Sequence, residues 1–573
     1  MPDDTLPRVF LIGLPMTAGP VFKQLFEANG YLWRHRQGGK LACDIAYSKA
    51  TGDAPLRPWS KAIGFSGLDR TDRQHLPPIE AWRDFRYLHA HFPDAYFINP
   101  HGDPADWVAR RYFTQTGTTR DIAAWHLGVT EDALPEIWLE DLAHHRAECA
   151  EYFAGSSRFI DLNMETQGIE YACRVLSDHF DLSVEADMGH TTGTHDQIKA
   201  VLTRMENPQP QPVPARGDSL FADKVAEHCI GTKAHSGPAR ALGQTAVQWS
   251  DTGFTDREGA PVGLVLDTTE NSGHVLLAEG QDRFERSQGT LDEFARHGGT
   301  PPVWVDMMDA RFVGSKGKRN APHNTLAYNR RTGASNLVLW PLPGYHTLAP
   351  RGAPGGYPVD DIAFAEKADT CAWLGNMTGR MVPALSPEDT DLKTAYALRD
   401  LANTFKPNAD WQPLMDEFMR ISRYNVVKTY HADPDFVLGF VLRGDWKPLA
   451  RSPIFDGLTH PEMPLTWFHR HRYVLSLSGN DTGSNFLMAA ASHSVILKEE
   501  DGWELFYTDA FKAWTHYIPL ESGALDLAEK LAWAKANPQA CMAMAQSATA
   551  LYDAFAAPAN RKAILERIIA GLV

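Results

Sequence analysis

Cysteine is scarce in this chain, and the few cysteines are scattered. The 573 residues contain six of them, with no CxxC pair and no cysteine–histidine spacing suited to zinc. Their positions are Cys43, Cys149, Cys173, Cys229, Cys371 and Cys541. Cysteines in this arrangement are typical of reduced core residues, and they argue against a disulfide framework.

Long apolar runs are also missing. No stretch approaches the roughly 20 apolar residues that a membrane-spanning helix requires. Asp3 and Asp4 precede the apolar run 9–14, which is too short and wrongly flanked for a signal peptide. We therefore expect a cytoplasmic protein. If its acceptor is made at a membrane, the protein would work as a peripheral protein at the inner membrane face.

Positive charge is in deficit. Lys and Arg number 55 against 71 Asp and Glu, which gives a formal net charge of −16. This balance argues against a general nucleic-acid-binding protein. Apolar residues make up 43% of the chain and charged residues 22%, as in globular proteins, and the length predicts two to four domains.

One segment is rich in proline and separates two halves of the chain. Proline alternates with polar residues over 207–214, which is typical of an extended polyproline linker. We place the linker at 206–217. It follows a first domain at 1–205 and precedes two lobes at 218–400 and 401–573.

A glycine-rich turn in the last lobe has the layout of a phosphate-binding loop. Residues 473–477 predict a buried strand, 479–485 a turn, 486–491 a helix and 494–497 a second strand. In such a βαβ unit the amino end of the helix offers free N–H groups to a phosphate. The alternative is an ordinary tight turn of an α/β protein.

The amino-acid sequence of this region resembles that of glycosyltransferase family 90, whose members modify lipopolysaccharide, capsule or protein hydroxyls. The resemblance is carried by Ser478-Gly479-Asn480-Asp481, Ser484-Asn485-Phe486, the strand 494–498 and the segment 514–534. It extends over roughly 216–573. Where protein-modifying members tend to have arginine, this chain has Asn485, as bacterial-type members do.

The resemblance implies an α/β fold with a GT-B-type pair of Rossmann-like lobes. It also implies inverting transfer of a sugar from a UDP-sugar to a hydroxyl of a glycan or protein acceptor, with no further cofactor. The donor would be bound by Gly375, Asn376, Thr378, Gly379, Arg380, Gly479, Asn480, Asp481, Ser484, Asn485 and Lys498. The family commonly has an arginine where Leu374 stands, so part of the positive charge of the site is in doubt.

Two carboxylates are candidates for the catalytic base. The strand that begins at Pro302 ends in Asp306 and Asp309, and Asp309 is the better match to the family's base. The alternative role for either is a carboxylate that caps a turn. Asp433-Pro434-Asp435 is formally a DxD, but the intervening proline and the lack of a preceding strand predict a turn, so no metal site is expected.

The amino-terminal domain resembles a sulfotransferase, with a P-loop Rossmann-type fold. Strand 8–15 runs into 16–20 and a helix, where sulfotransferases usually have Pro-Lys-Thr-Gly-Thr. Met16 stands in place of the lysine, and Gly102 in place of an arginine that holds the donor's other phosphate. Each charge-assisted contact contributes on the order of 1.5–3 kcal/mol, so we predict an inactive domain.

Three hypotheses follow. The first is a glycosyltransferase with an inactive sulfotransferase-like domain. The second is a sulfotransferase, or a bifunctional enzyme, that uses 3′-phosphoadenosine 5′-phosphosulfate. The third is a non-catalytic binding protein in which Met16 and Leu374 mark decay in both halves. The acceptor and the oligomeric state are not readable.

Overall fold

The computed structural model describes most of the chain. The described residues are 6–183, 218–269, 273–309, 312–315, 318–346, 348–353, 355–385, 392–406 and 409–572. The predicted linker at 206–217 lies outside them. The predicted α/β class with parallel sheets is confirmed. Among the described residues, no helix combines the length and the apolar character needed to cross a bilayer.

The chain divides into two compact units. The first contains 1–214 and 249–300, and the second contains 215–248 and 301–573. The chain passes from the second unit back to the first in the strand Val247–Ser250. This division differs from the predicted lobe 218–400, because residues 249–300 pack in the first unit: Lys40 contacts Glu279 at 2.9 Å, and Leu276 lies in that unit's core.

The first unit is built on a five-stranded parallel sheet. Its strands, in spatial order, are Trp33–His35, Gly64–Ser66, Val9–Leu11, Tyr96–His101 and Phe159–Asn163. The described α-helices of this unit are Gly19–Ala28, Lys40–Thr51, Phe85–His91, Pro104–Phe113, Thr118–Leu127, Leu134–Tyr152, Gly168–Leu176 and Glu285–Arg296. Gly253–Asp256, Leu264–Leu266 and Val275–Leu277 are short additional strands. The sheet is buried on both faces, as parallel sheets usually are.

The second unit contains two groups of parallel strands. In the smaller group Val303–Val305 pairs with Thr325–Ala327, which pairs with Leu337–Leu339. The larger sheet has the order Phe436–Phe440, Ala368–Gly375, His471–Ser476, Val495–Glu499 and Ile518–Leu520. The strand Ala368–Gly375 therefore belongs with the later strands, whereas a lobe boundary at 400 separates it from them. Arg330–Arg331 forms an antiparallel pair with Trp503–Glu504.

The described helices of this unit pack on the two groups of strands and on one another. They are Ser219–Ile230, Ala395–Ala402, Gln412–Phe418, Ser422–Tyr430, Phe486–Ala490, Leu527–Ala536, Pro538–Ala556 and Pro558–Ala570. Apolar residues from the larger sheet and its helices form the unit's main core. All strands of the larger sheet are parallel, so their carboxyl ends share one edge, which is where ligands bind in open α/β sheets.

Candidate functional site

The glycine-rich loop lies where the sequence predicts it. It follows the strand His471–Ser476 and precedes the helix Phe486–Ala490, and the next strand, Val495–Glu499, is parallel to the first. The helix has five residues, and the side chain of Asn485 at its start accepts no hydrogen bond from the backbone amides of the first turn. Asn485 donates instead from Nδ2 to the carbonyl oxygen of Leu475 at 2.6 Å. Because so short a helix aligns few peptide dipoles, anion binding here would depend on individual amides.

The loop is held in a tight internal turn. The amide of Gly479 donates to the carbonyl oxygen of Asp481 at 2.9 Å, and Ser478 Oγ donates to the same oxygen at 2.7 Å. A Cβ atom added at Gly479 would lie 2.7 Å from Nη2 of Arg423. A larger residue here would therefore displace the guanidinium of Arg423, which itself holds the loop.

The side chain of Arg423 holds the loop in place by hydrogen bonds. Its guanidinium donates to the carbonyl oxygens of Ser478 (3.0 Å) and Leu477 (3.2 Å). It also donates to the carbonyl oxygen of Asn376 at 3.0 Å and to Thr378 Oγ1. Burial lowers the pKa of Arg423 to about 10, so the side chain is still cationic at neutral pH. One arginine thus joins two segments that the sequence predicts to bind the donor.

Glu499 supports the same loop through its buried carboxyl group. Its carboxylate is 1% exposed and accepts hydrogen bonds from the Ser478 amide (2.9 Å), from Ser422 Oγ (2.6 Å) and from the Gly523 amide (2.7 Å). Burial raises the pKa of Glu499, and these three donors oppose the shift. The start of the loop is therefore built on buried ionisable groups.

The segment 375–380 lies beside the loop. Gly375 ends its strand, and Asn376 Oδ1 accepts a hydrogen bond from the Met377 amide at 3.0 Å. The amide of Gly379 donates to Asn480 Oδ1 at 3.3 Å. The structure thus brings together two predicted donor-binding segments that are about a hundred residues apart in sequence.

Arg380 has few partners. Its Nη2 donates to the carbonyl oxygen of Leu392 at 3.4 Å, and its guanidinium lies 5.1 Å from the ring centre of Phe312. Its Nε is buried and has no hydrogen-bond partner among the described residues. No described carboxylate pairs with Arg380.

A tyrosine links the candidate base to the loop. Tyr328 is 4% exposed, and its hydroxyl contacts Asp309 Oδ1 (2.8 Å) and Asp481 Oδ2. Asn329 donates from Nδ2 to the same oxygen of Asp481. Burial, together with the charges of Asp481 and Asp309, raises the pKa of Tyr328, so the phenol stays protonated. Asp309 and the loop are therefore joined through a single hydroxyl group.

The two candidate bases differ in exposure. Asp309 is exposed, whereas Asp306 is 0% exposed and accepts a hydrogen bond from the Gly243 amide at 3.0 Å. Both follow Val303–Val305, whose parallel neighbour is followed by Tyr328. Asp309 is thus the carboxylate of the two that a substrate could reach.

Two further predicted residues lie apart from these contacts. Lys498 is 7% exposed and donates to Glu500 Oε2 at 3.3 Å, and its ammonium lies 5.6 Å from the ring centre of Tyr517. Ser484 is exposed at the tip of the loop. Neither is among the groups that hold the loop.

Asp433 and Asp435 form a turn, as predicted. The amide of Asp435 donates to Asp433 Oδ1 at 2.9 Å, just before the strand Phe436–Phe440, and Lys535 lies 2.5 Å from the Asp435 carboxylate. The described residues contain no group of three or more metal-ligating side chains.

The first unit has a cavity of about 130 Å³ at its strand-to-helix loop. Met16 lines it with a left-handed φ of 69°, and Met16 Sδ accepts a hydrogen bond from Thr114 Oγ1 at 3.3 Å. Arg36, also in the lining, lies 3.2 Å from Asp69 and 3.7 Å from Asp72. Two carboxylates therefore surround the cation of this cavity.

Gly102 stands next to a carboxylate. A Cβ atom added at Gly102 would lie 2.8 Å from Oε1 of Glu165, which accepts a hydrogen bond from the Asp103 amide at 2.7 Å. Negative charge is thus found where a sulfotransferase would place an arginine.

The glycine-rich loop, Arg423 and Glu499 lie in one segment with recognisable relatives. Residues 416–554 match the model of glycosyl transferase family 90. The predicted resemblance is thereby confirmed for this family-90 segment. Asp309 and the residues 375–380 lie outside it.

Individual relatives are similar over shorter stretches. The chain is 31% identical over 120 residues to O-glucosyltransferase LpsA of Dichelobacter nodosus, which is 19% of this chain and 38% of that protein. It is 29% identical over 72 residues to mouse Protein O-glucosyltransferase 3, or 13% of this chain and 14% of the relative. It is 26% identical over 101 residues to uncharacterized protein 035R of invertebrate iridescent virus 3, or 17% of this chain and 9% of that protein. The chain thus spans well under half the length of each of these relatives.

Sequence reasoning did not single out Arg423, Glu499 or Tyr328. Glu499 ends the fully buried strand Val495–Glu499, and a carboxylate at such a position signals a buried ionisable group with specific partners. Arg423 lies in the largely polar helix Ser422–Tyr430, where a charge gives no such signal. Tyr328 follows a strand parallel to the one before Asp309. Residues after parallel strands meet at one edge, and because this pairing is visible only in the structure, the sequence carried no signal for Tyr328.

Proposed function

We propose that this chain is an inverting glycosyltransferase that moves a sugar from a UDP-sugar to a hydroxyl of a glycan, of the lipopolysaccharide or capsule type, or of a protein. The observation that carries the proposal is the bridge from Asp309 through Tyr328 to Asp481, because it sets a reachable carboxylate beside the glycine-rich loop of the family-90 segment. Two relatives with names of O-glucosyltransferases support transfer to a hydroxyl oxygen.

In this proposal the two groups of parallel strands in the second unit are the Rossmann-like lobes of a GT-B-type enzyme. Asp309 takes the proton from the acceptor hydroxyl as general base. The acceptor oxygen then bonds to the anomeric carbon, while the bond from that carbon to the diphosphate breaks on the opposite face. The electron pair of the broken bond leaves with UDP, and the proton stays on Asp309.

Other groups stabilise the leaving diphosphate. Amides of the loop 480–485 and the guanidinium of Arg380 provide donors where negative charge grows, which is how enzymes stabilise a leaving group without a metal ion. Tyr328 acts as a positioning residue: its protonated phenol fixes the distance between Asp309 and the loop. Binding both substrates in this geometry supplies the entropic part of the rate enhancement.

The first test is Asp309→Asn in the full-length chain. A positioned general base contributes about 10²- to 10⁴-fold, and we expect the rate of donor turnover to fall by that factor. UDP affinity, measured by calorimetry, should stay within about twofold. Nucleotide sugars are first screened by donor hydrolysis to select the donor.

Asp456→Asn is the matched control, because Asp456 is an exposed carboxylate in the same unit. It removes one charge and should leave turnover unchanged. If Asp309→Asn turns over the donor at the wild-type rate, the base lies elsewhere, and Asp306 is the next residue to change.

The first unit is, in this proposal, a sulfotransferase-like fold that has lost its chemistry. Support comes from Met16 at the lysine position, from Glu165 beside Gly102, and from the pairing of Arg36 with two carboxylates. Titration with adenosine 3′,5′-bisphosphate separates the hypotheses. Binding to the wild type would favour a sulfotransferase or a bifunctional enzyme, and a response to neither this nucleotide nor UDP would favour a binding protein.

The proposal keeps the cytoplasmic location that the sequence leads us to expect, and the protein would act as a peripheral protein at the inner membrane face if the acceptor is made there. All six cysteines are thiols, five of them buried.

A further inference from the structure

The sequence predicts one arginine for the diphosphate, Arg380, but the structure provides a neighbour for it. Arg331 lies in the strand Arg330–Arg331, which pairs with Trp503–Glu504. The guanidinium carbon of Arg331 lies 5.9 Å from the ring centre of Phe312, and that of Arg380 lies 5.1 Å from the same ring. The two cations therefore lie near the same aromatic side chain.

Arg331 is connected to the glycine-rich loop by one residue. Its Nη1 donates to the carbonyl oxygen of Asp501 at 2.6 Å. The carboxylate of Asp501 accepts a hydrogen bond from Ser478 Oγ at 3.1 Å, and Ser478 also holds the Asp481 carbonyl. The position of Arg331 is thus fixed relative to the turn that begins at Ser478.

The adjacent residue, Arg330, is an arginine with a structural role and serves as a comparison. Arg330 pairs with Glu504 at 2.7 Å and donates to the carbonyl oxygens of Cys229, Leu337 and His228. Arg331 has no described carboxylate within ion-pair distance. It has one carbonyl acceptor and lies 4.7 Å from the ring centre of Trp503.

Two neighbouring guanidiniums that have no carboxylate partner among the described residues favour the binding of an anion. Burial lowers the pKa of Arg331, and the charge of Arg380 lowers it further, while Asp501 opposes the shift. A bound anion would offset this repulsion. Arginine suits phosphate oxygens in particular, because its planar fork can donate two parallel hydrogen bonds.

We propose that Arg331 and Arg380 together form the binding site for the diphosphate of the nucleotide sugar, with Arg331 as its second cation. The inference rests on the proposed function. Arg331 is positioned by its stacking on Trp503 and by its bond to Asp501, and its remaining N–H groups serve the ligand. Arg380 contributes the other guanidinium, whose buried Nε has no described partner.

The test is binding of UDP, UMP and uridine to the full-length chain by calorimetry at fixed ionic strength. Arg331→Gln should weaken UDP binding by about ten- to a hundredfold, as expected for a lost charge-assisted contact. The affinity for UMP, which carries one phosphate, should fall less. The affinity for uridine, which carries no phosphate, should not change. Arg331→Lys keeps the charge but not the fork, and it should fall between the wild type and Arg331→Gln.

Lys562→Gln is the charge-matched control, since Lys562 is exposed on the helix Pro558–Ala570. It should leave all three affinities unchanged. If Arg331→Gln does not fold, Arg331→Lys decides the question by its ratio of UDP to UMP affinity.

The two possible failures are distinguishable. A wild-type chain that binds none of the three ligands overturns the proposed function and this inference with it. A wild type that binds UDP, with Arg331→Gln or Arg331→Lys showing the same preference for UDP over UMP, overturns only the inference and leaves Arg331 as a packing partner of Trp503.

Discussion

The strand-to-helix loops of the two units have the same layout but are held by different chemistry. The loop at 12–19 of the first unit accepts hydrogen bonds from neutral side chains: His145 Nε2 donates to the Ile12 carbonyl oxygen at 2.7 Å, and Trp107 Nε1 donates to that of Pro15 at 2.8 Å. The loop at 477–485 of the second unit is held by Arg423 and Glu499. Both loops follow a central strand of a parallel sheet.

This difference shows what a strand–glycine–helix pattern does and does not specify. The pattern fixes the path of the backbone in both loops. The supporting charges come from other elements, and they occur at the loop that lies in the family-90 segment. The described side chains that hold the loop at 12–19 are neutral, and such a loop is less suited to a polyanionic ligand than one held by charged groups.

The largest expected effect is that of Arg423→Gln. Glutamine cannot replace hydrogen bonds to three carbonyl oxygens and a hydroxyl, so we expect the free energy of unfolding to fall by about 3 kcal/mol. The corresponding change in the first unit, Trp107→Phe, removes one neutral hydrogen bond and part of a buried ring, and it should cost about 2 kcal/mol. Urea unfolding of both full-length variants measures the difference. Equal losses would mean that the two loops are held with the same strength.

A change of pH should affect the two loops in opposite directions. Burial lowers the pKa of His145 from 6.5 to about 4, so the folded state binds fewer protons than the unfolded state between these values. Stability supplied by neutral His145 is therefore lost as pH falls below about 6.5. Glu499 has a raised pKa, so protonation on acidification favours its folded state.

His145→Gln isolates this effect. We expect acidification from pH 7.5 to pH 5 to cost the wild type about 2 kcal/mol more than the variant, as a shift of this size implies. Denaturant unfolding of the wild type and the variant at both pH values gives the change in the free energy of unfolding for each protein. Parallel losses in the wild type and the variant would show that His145 does not titrate over this range.

Much of the second unit could be predicted from local sequence. The βαβ unit around 479–485 was predicted with element ends within about two residues, because alternating apolar runs and glycine punctuation are local signals. The family was also readable, since several spaced pieces occur in order. The association of residues 249–300 with the first unit could not be predicted from the sequence, because no local feature of that segment encodes which core it joins.

The candidate site was predicted as a set of segments, without the contacts between them. The proximity of Gly379 and Asn480, or of Asp309 and Asp481, depends on strand order, which a single sequence does not give. Arg423 and Glu499 were missed for a related reason. Their importance comes from partners that are distant in sequence, whereas the predicted residues were chosen by likeness to short motifs.

The smallest expected effect concerns Lys498, which the resemblance assigns to the donor site. Its ammonium is bound to Glu500 and lies against Tyr517, so the positive charge is already compensated. We expect Lys498→Gln to change UDP affinity by less than about threefold, in contrast to Arg331→Gln, because a paired cation has little field left for a ligand. Calorimetry with UDP measures both on the same scale. A loss for Lys498→Gln as large as that for Arg331→Gln would show that Lys498 leaves Glu500 when the nucleotide binds, and the distinction between paired and free cations at this loop would then fail.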